Sequence, residues 1–206
     1  MTRLLLIRHG ETDYNSYRRY CGHSDPPLNT SGISQVKRLA KQLKGFNADM
    51  VFSSDLLRTV QTAGMVFKNN TIQKTQDLRE LNFGVFEGLS YADIMEKYAG
   101  LYRDWIADPL SVLVPGGEKF SNFRNRIGNA LFSIVFGNRG RKIALVTHNG
   151  PIRLILCEAL GYGSDRFWEI AQDNAAFSII DYPEGSAPIA VTINETAHLL
   201  NHGGAV

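Results

Sequence analysis

Two histidines and two arginines in this chain stand where chemistry is usually done. Leu4, Leu5, Leu6 and Ile7 run directly into Arg8, His9 and Gly10. A second apolar run, Ile143 to Val146, breaks at Thr147, His148, Asn149 and Gly150. Arg58 lies in the first turn of the helix expected after Met50-Val51-Phe52. A neutral imidazole is a good nucleophile near pH 7. An arginine is a permanent planar cation whose fork matches phosphate oxygens. Each strand-to-helix turn adds backbone N–H groups and the positive end of a helix. Together these groups describe an anion pocket, and a phosphoryl group is its natural occupant. Taken alone, Arg8-His9-Gly10 also reads as a polar strand end with Gly10 making the turn. His148 alone also reads as a helix cap.

Phosphoryl chemistry commonly uses a metal, but the motifs that hold one are missing. There is no P-loop lysine pattern, no aspartate pair spaced for magnesium and no HExxH. The histidines at 9, 23, 148, 198 and 202 show no ligand spacing. No metal or cofactor is expected. A metal-free reaction needs a protein nucleophile, with fixed cations in place of Mg²⁺. Cys21 rivals the histidines for that role, but no glycine-rich loop and arginine follow it to cradle phosphate.

The elements that must position these groups are legible from apolar spacing. Four consecutive bulky apolar residues read as a strand buried on both faces. Open α/β sheets place ligands at the carboxyl ends of such strands. Asn29, Thr30 and Ser31 start a helix with Ile33, Val36, Leu39, Ala40 and Leu43 on one stripe, ended by Gly45. Ser53-Ser54-Asp55 reads as the cap of the next helix, which turns Leu56, Val60, Ala63 and Phe67 inward. Thr71 to Thr75 is a weaker strand. Asp77 to Gly88 has no period and carries two glycines and three carboxylates, the mark of a functional loop. Ala92 to Ile106 and the stretch from Phe120 to Val135 read as helices, and residues 82–138 as a helical insertion over one end of the sheet. Pro151 suits the first turn of a helix after the second buried strand. Two late strands, Ala176–Tyr182 and Ile189–Ile193, flank a Pro183-Glu184-Gly185 turn, and Asn201–Val206 reads as a frayed tail. The pattern is α/β: a three-layer α/β/α sandwich with a mostly parallel central sheet.

At 206 residues the chain suits a single domain with a sizeable core. Apolar content of 44% and charged content of 20% are those of a soluble globular protein. The formal charge of +2 is spread along the chain, which speaks against nucleic-acid or membrane partners. Two cysteines make no disulfide scaffold and fit a reducing compartment. The first apolar run is too short for a signal peptide, and no stretch reaches the roughly 20 apolar residues of a membrane span. A cytoplasmic monomer or homodimer acting on a small molecule is expected.

Five blocks, in order, carry a resemblance. They are Leu6-Ile7-Arg8-His9-Gly10-Glu11-Thr12 with Asn15; Ser53-Ser54-Asp55 with Arg58, Thr62 and Ala63; Leu78-Arg79-Glu80 through Phe86-Glu87-Gly88; Pro115-Gly116-Gly117-Glu118; and Thr147-His148 with Gly150. The set resembles the histidine phosphatase (phosphoglycerate mutase-like) superfamily over about residues 2–182. The resemblance implies that His9 becomes phosphohistidine, with Arg8, Arg58 and His148 as the cationic pocket and Asn15 donating an amide N–H. It implies that Glu80 protonates the leaving oxygen and then activates water. A carboxyl close to a dianionic phosphate has its pKa raised, which suits that role. Relatives usually carry glycine where this chain has Asn149. Asparagine tolerates unusual backbone angles, so activity is expected to survive.

The blocks fit the phosphatase branch better than the longer mutases. Pro115 to Arg124, His148 to Arg153 and Asp173-Asn174 are most similar to alpha-ribazole phosphatases, which remove the 5′-phosphate of alpha-ribazole in cobalamin nucleotide-loop assembly. The alternatives are a broad-specificity phosphatase on sugar phosphates or phosphoglycerates, a cofactor-dependent phosphoglycerate mutase, and a catalytically silent phosphate-binding module. Arg19 and Glu87 are expected at the pocket rim, with Asn15, Cys21, Gly22 and Asn149 completing the substrate-binding set.

Overall fold

A computed structural model describes residues 1–200, apart from the side chains of residues 164 and 165. In chain order the elements are β1 (Thr2–Arg8), α1 (Asp13–Ser16), α2 (Thr30–Gln42), β2 (Met50–Ser54), α3 (Leu57–Val66) and β3 (Ile72–Thr75). They continue with α4 (Tyr91–Ala107), α5 (Phe120–Phe136), β4 (Lys142–Thr147), α6 (Asn149–Ala159), β5 (Phe177–Tyr182) and β6 (Ile189–Glu195). The strands form one six-stranded sheet in the order β3-β2-β4-β1-β5-β6. The first four strands run parallel, and β5 and β6 add antiparallel pairs at one side.

The unbroken apolar runs of β1 and β4 follow from the layers. Leu4, Leu6, Ile143 and Leu145 face α5 and α6 in one core cluster. Leu5, Ile7, Ala144 and Val146 face α2 and α3 in another. Successive side chains of a strand point to opposite faces, so a strand covered by helices on both sides is apolar throughout.

Three expectations shift. The insertion expected over 82–138 divides. Phe123, Ile127, Leu131 and Ile134 of α5 pack into the sheet's own core, whereas Phe86, Ile94, Trp105 and Val114 form a separate cluster. The cap is therefore the stretch around α4, and α5 is a layer of the sandwich. An apolar stripe has the same spacing in either setting. The helix expected to run to Gly45 ends at Gln42, and Leu43 turns into the core with its N–H on Leu39 O. Ser53 and Ser54 do not cap α3. They belong to β2, and the N-cap is Leu56 without a side-chain bond. Asn201–Val206 lies outside the described residues.

Candidate active site

The site grows out of strand register. β1 and β4 are parallel neighbours with Arg8 opposite Thr147, so the next residue of each chain segment, His9 and His148, emerges side by side. Their rings stand 5.2 Å apart between centroids, inclined at 64°. His9 Nδ1 lies 2.7 Å from Gly10 O. A carbonyl only accepts, so Nδ1 carries the proton and Nε2 keeps its lone pair. Burial, followed by the charges of Arg58 and Arg8, holds the His9 pKa well below its ordinary value. The ring is neutral at pH 7. Gly10 is required beside it: a Cβ there would lie 2.8 Å from Gly32 O and 2.7 Å from Val36.

Arg58 is fully buried, which an arginine tolerates only when its N–H groups are used. Nε donates to His148 Nδ1 at 3.2 Å, one terminal nitrogen to Ser24 O at 2.7 Å and the other to Gly22 O at 2.8 Å. Because His148 Nδ1 accepts, its Nε2 carries the proton and donates to Ser54 Oγ at 3.0 Å. Burial, followed by Arg58, holds His148 neutral as well, so this ring is not the cation that the resemblance implied. Ser54 orients this ring in place of capping a helix, a role that leaves no signal in side-chain spacing.

Glu80 is buried with its carboxylate against the start of α6. One oxygen accepts Leu81 N and the other Gly150 N, both at 2.9 Å. Burial pushes its pKa up, against the pull of those two N–H groups, Arg58 and Arg8. This rise comes from desolvation and is separate from the effect expected of a neighbouring phosphate charge. A Cβ on Gly150 would lie 2.2 Å from Glu80 Oε1, so only glycine admits the carboxyl there. Asn149 begins α6 and is not among the residues with positive φ. The unusual backbone expected at Asn149 is absent, because an N-terminal helical position suits any residue with ordinary angles.

Arg8, His9, Asn15, Arg19, Cys21, Glu80 and Asn149 line one cleft of about 620 Å³. Arg8 donates to Gln172 O, and burial lowers its pKa to about 10, which leaves it a cation at neutral pH. Asn15 Oδ1 accepts from Thr12 N and Asn174 Nδ2, and so the Asn15 amide N–H groups remain to donate. Arg19 donates to Gly88 O and pairs with Asp93 at 3.6 Å. Burial raises the Cys21 thiol to about 11, which disfavours the thiolate a nucleophile needs.

Two candidates for substrate contact fall elsewhere. Glu87 and Gly22 are not in the cleft lining. Glu87 turns its carboxylate onto the backbone N–H groups of Gly22, His23 and Phe83 at 3.0 Å and Ser24 at 3.1 Å. Gly22 is pressed against Leu81 O, where a Cβ would sit at 2.1 Å. Conversely, the cleft has an apolar wall that the sequence reading missed: Trp105, Ile106 and Pro109 from the cap, and Trp168 from the turn Ser164–Glu169. The two indoles meet edge to face at 5.9 Å. Trp168 is braced by Arg153, which lies 5.6 Å over its ring and donates to Ile170 O. Tryptophan count was the only available signal, and it carries no partner information.

The model of the histidine phosphatase superfamily, branch 1, matches residues 4–196. Phosphoserine phosphatase 1 of Hydrogenobacter thermophilus is 33% identical over 201 residues, 97% of this chain and 95% of that protein. The adenosylcobalamin/alpha-ribazole phosphatase of Escherichia coli is 31% identical over 191 residues, 92% of this chain and 94% of that protein. The crystal structure of the alpha-ribazole phosphatase from Shigella flexneri superposes with a TM-score of 0.88 at 29% identity, covering 95% of this chain and 97% of that one. The chain belongs to the histidine phosphatase superfamily, branch 1, and is a phosphoric monoester hydrolase.

Proposed function

We propose that the chain hydrolyses phosphate monoesters without a metal, through a phosphohistidine on His9. The lone pair of His9 Nε2 attacks phosphorus in line with the ester oxygen, and the P–O bond breaks as the P–N bond forms. Glu80, whose pKa burial raises, gives a proton to the leaving oxygen and releases the alcohol. The resulting carboxylate then takes a proton from water as that water attacks phosphorus. The P–N bond breaks, its electron pair returns to Nε2, and inorganic phosphate leaves. Arg8 and the Asn15 amide line the cleft where charge develops, and the buried Arg58 adds its fixed positive charge beside His9 and His148.

For the substrate, alpha-ribazole 5′-phosphate is the favoured reading. The observation that carries it is the wall of Trp105, Trp168, Ile106, Pro109, Phe83 and Tyr20 beside Arg8 and His9. A leaving group with a planar apolar ring buries surface against such a wall. Phosphoserine is the second reading, favoured by the 33% identical relative and by Arg19, whose cation on the cleft wall suits a carboxylate. A panel of kcat/KM values for alpha-ribazole 5′-phosphate, phosphoserine, 3-phosphoglycerate and a sugar phosphate separates them. The expected result is a preference for alpha-ribazole 5′-phosphate of about tenfold or more, the size of one aromatic contact. A preference for phosphoserine overturns the first reading in favour of the second.

A further inference from the structure

Glu87 was expected at the pocket rim, and its actual surroundings give it a different task. Its two carboxylate oxygens gather the backbone N–H groups of three consecutive residues, Gly22, His23 and Ser24, together with that of Phe83. Consecutive N–H groups converging on one carboxylate fix the backbone of a loop that has no secondary structure of its own. The other side of the same loop is what Arg58 holds: Gly22 O and Ser24 O accept from its two terminal nitrogens. With Nε on His148, these bonds use three of the five guanidinium N–H groups and set the plane of the fork.

We infer that Glu87 is a positioning residue for Arg58, acting through the Gly22–Ser24 loop. The carboxylate aims the loop's carbonyls, and the carbonyls fix the guanidinium against His148, whose ring meets that of His9 at 5.2 Å. The fit admits little slack. A Cβ on Gly22 would lie 2.3 Å from Glu87 Oε1 as well as 2.1 Å from Leu81 O. The chain leading into the loop is also tied down, by Tyr20 N to Leu89 O at 3.0 Å and Gly88 N to Tyr20 O at 2.8 Å. Glu87 sits inside this clasp and outside the cleft lining, while the loop that it fixes holds Arg58.

The inference rests on Arg58 serving the phosphoryl pocket, and its test separates the two. Binding of inorganic phosphate is measured by calorimetry for the wild type, Arg58→Ala, Glu87→Gln, Glu87→Asp and the Arg58→Ala/Glu87→Gln double variant. Thermal melts establish that each is folded. The amide of Glu87→Gln presents N–H to N–H at one oxygen position, so phosphate affinity should fall about tenfold. Glu87→Asp keeps the charge and should recover part of the loss. The double variant should bind phosphate no worse than Arg58→Ala alone. Additive losses would overturn the inference, as would wild-type affinity in a folded Glu87→Gln. If Glu87→Gln does not fold, Glu87→Asp decides alone: an unchanged affinity overturns the inference. If Arg58→Ala binds phosphate as the wild type does, the pocket reading and this inference fall together.

Discussion

His9 and His148 stand edge to face with 5.2 Å between ring centroids, and both rings are held neutral. The pairing follows from the register of β1 against β4. Burial of two neutral imidazoles has a consequence for stability. Unfolded, each takes up a proton near pH 6.5, while the folded rings refuse it until well below that value. The stability tied to each ring is therefore present above pH 6.5 and lost as pH falls through the window beneath it. In that window each histidine should contribute a slope of about 1.4 kcal/mol per pH unit. Glu80, raised by burial, acts in the opposite sense, so a difference between variants is the useful measure. Urea unfolding between pH 7 and pH 5 should give a shallower loss for His9→Asn than for the wild type. Parallel curves would show that His9 titrates normally.

Glu80 should reveal itself by leaving group. Glu80→Gln cannot give a proton, so hydrolysis of an alkyl phosphate should fall by about 10²-fold or more. The first step with p-nitrophenyl phosphate, whose leaving group needs little help, should fall far less. The alkaline limb of kcat/KM, set by deprotonation of Glu80, should sit above the ordinary carboxylate range and disappear in the variant. Equal losses on both substrates in single-turnover kinetics would remove Glu80 from the acid role.

Gly150→Ala tests the seat of that carboxyl. The added Cβ falls 2.2 Å from Glu80 Oε1 and 3.0 Å from Phe123 Cζ. The carboxyl must move by about an ångström, which costs on the order of 10²-fold in kcat. Asn149→Gly, one residue earlier on an ordinary helical backbone, should keep most of the activity. A fully active Gly150→Ala would contradict the placement of Glu80.

Substrate preference should reside in the indole wall. Trp168→Ala removes an aromatic partner of Trp105 and one side of the cleft. Its kcat/KM should fall about fivefold to tenfold on alpha-ribazole 5′-phosphate and little on glycerol phosphate. An equal change on both would mean that the wall does not read the leaving group.

The chemistry of this site was far more legible in the sequence than its supports. Arg8, His9 and His148 follow apolar runs that can only be buried strands, so their place at one sheet edge could be read directly. Glu80 and Asn15 had no such frame and rested on resemblance. Glu87 was misplaced because it bonds to backbone N–H groups, which every residue carries and no side-chain pattern records. Trp105 and Trp168 come from distant segments that meet only in the folded chain. The cap boundary was drawn too wide because the apolar stripe of α5 looks the same whether it lies on a sheet or on a cap.

The central claim is that the phosphoryl group passes through His9. The most direct test is rapid quench of the enzyme with ³²P-labelled p-nitrophenyl phosphate, in the presence of EDTA, using Glu80→Gln to slow the second step. The account predicts protein-bound label that is stable in base, labile in acid, maps to His9 and is missing from His9→Ala. Turnover without any label on His9, or hydrolysis that EDTA abolishes, would contradict it.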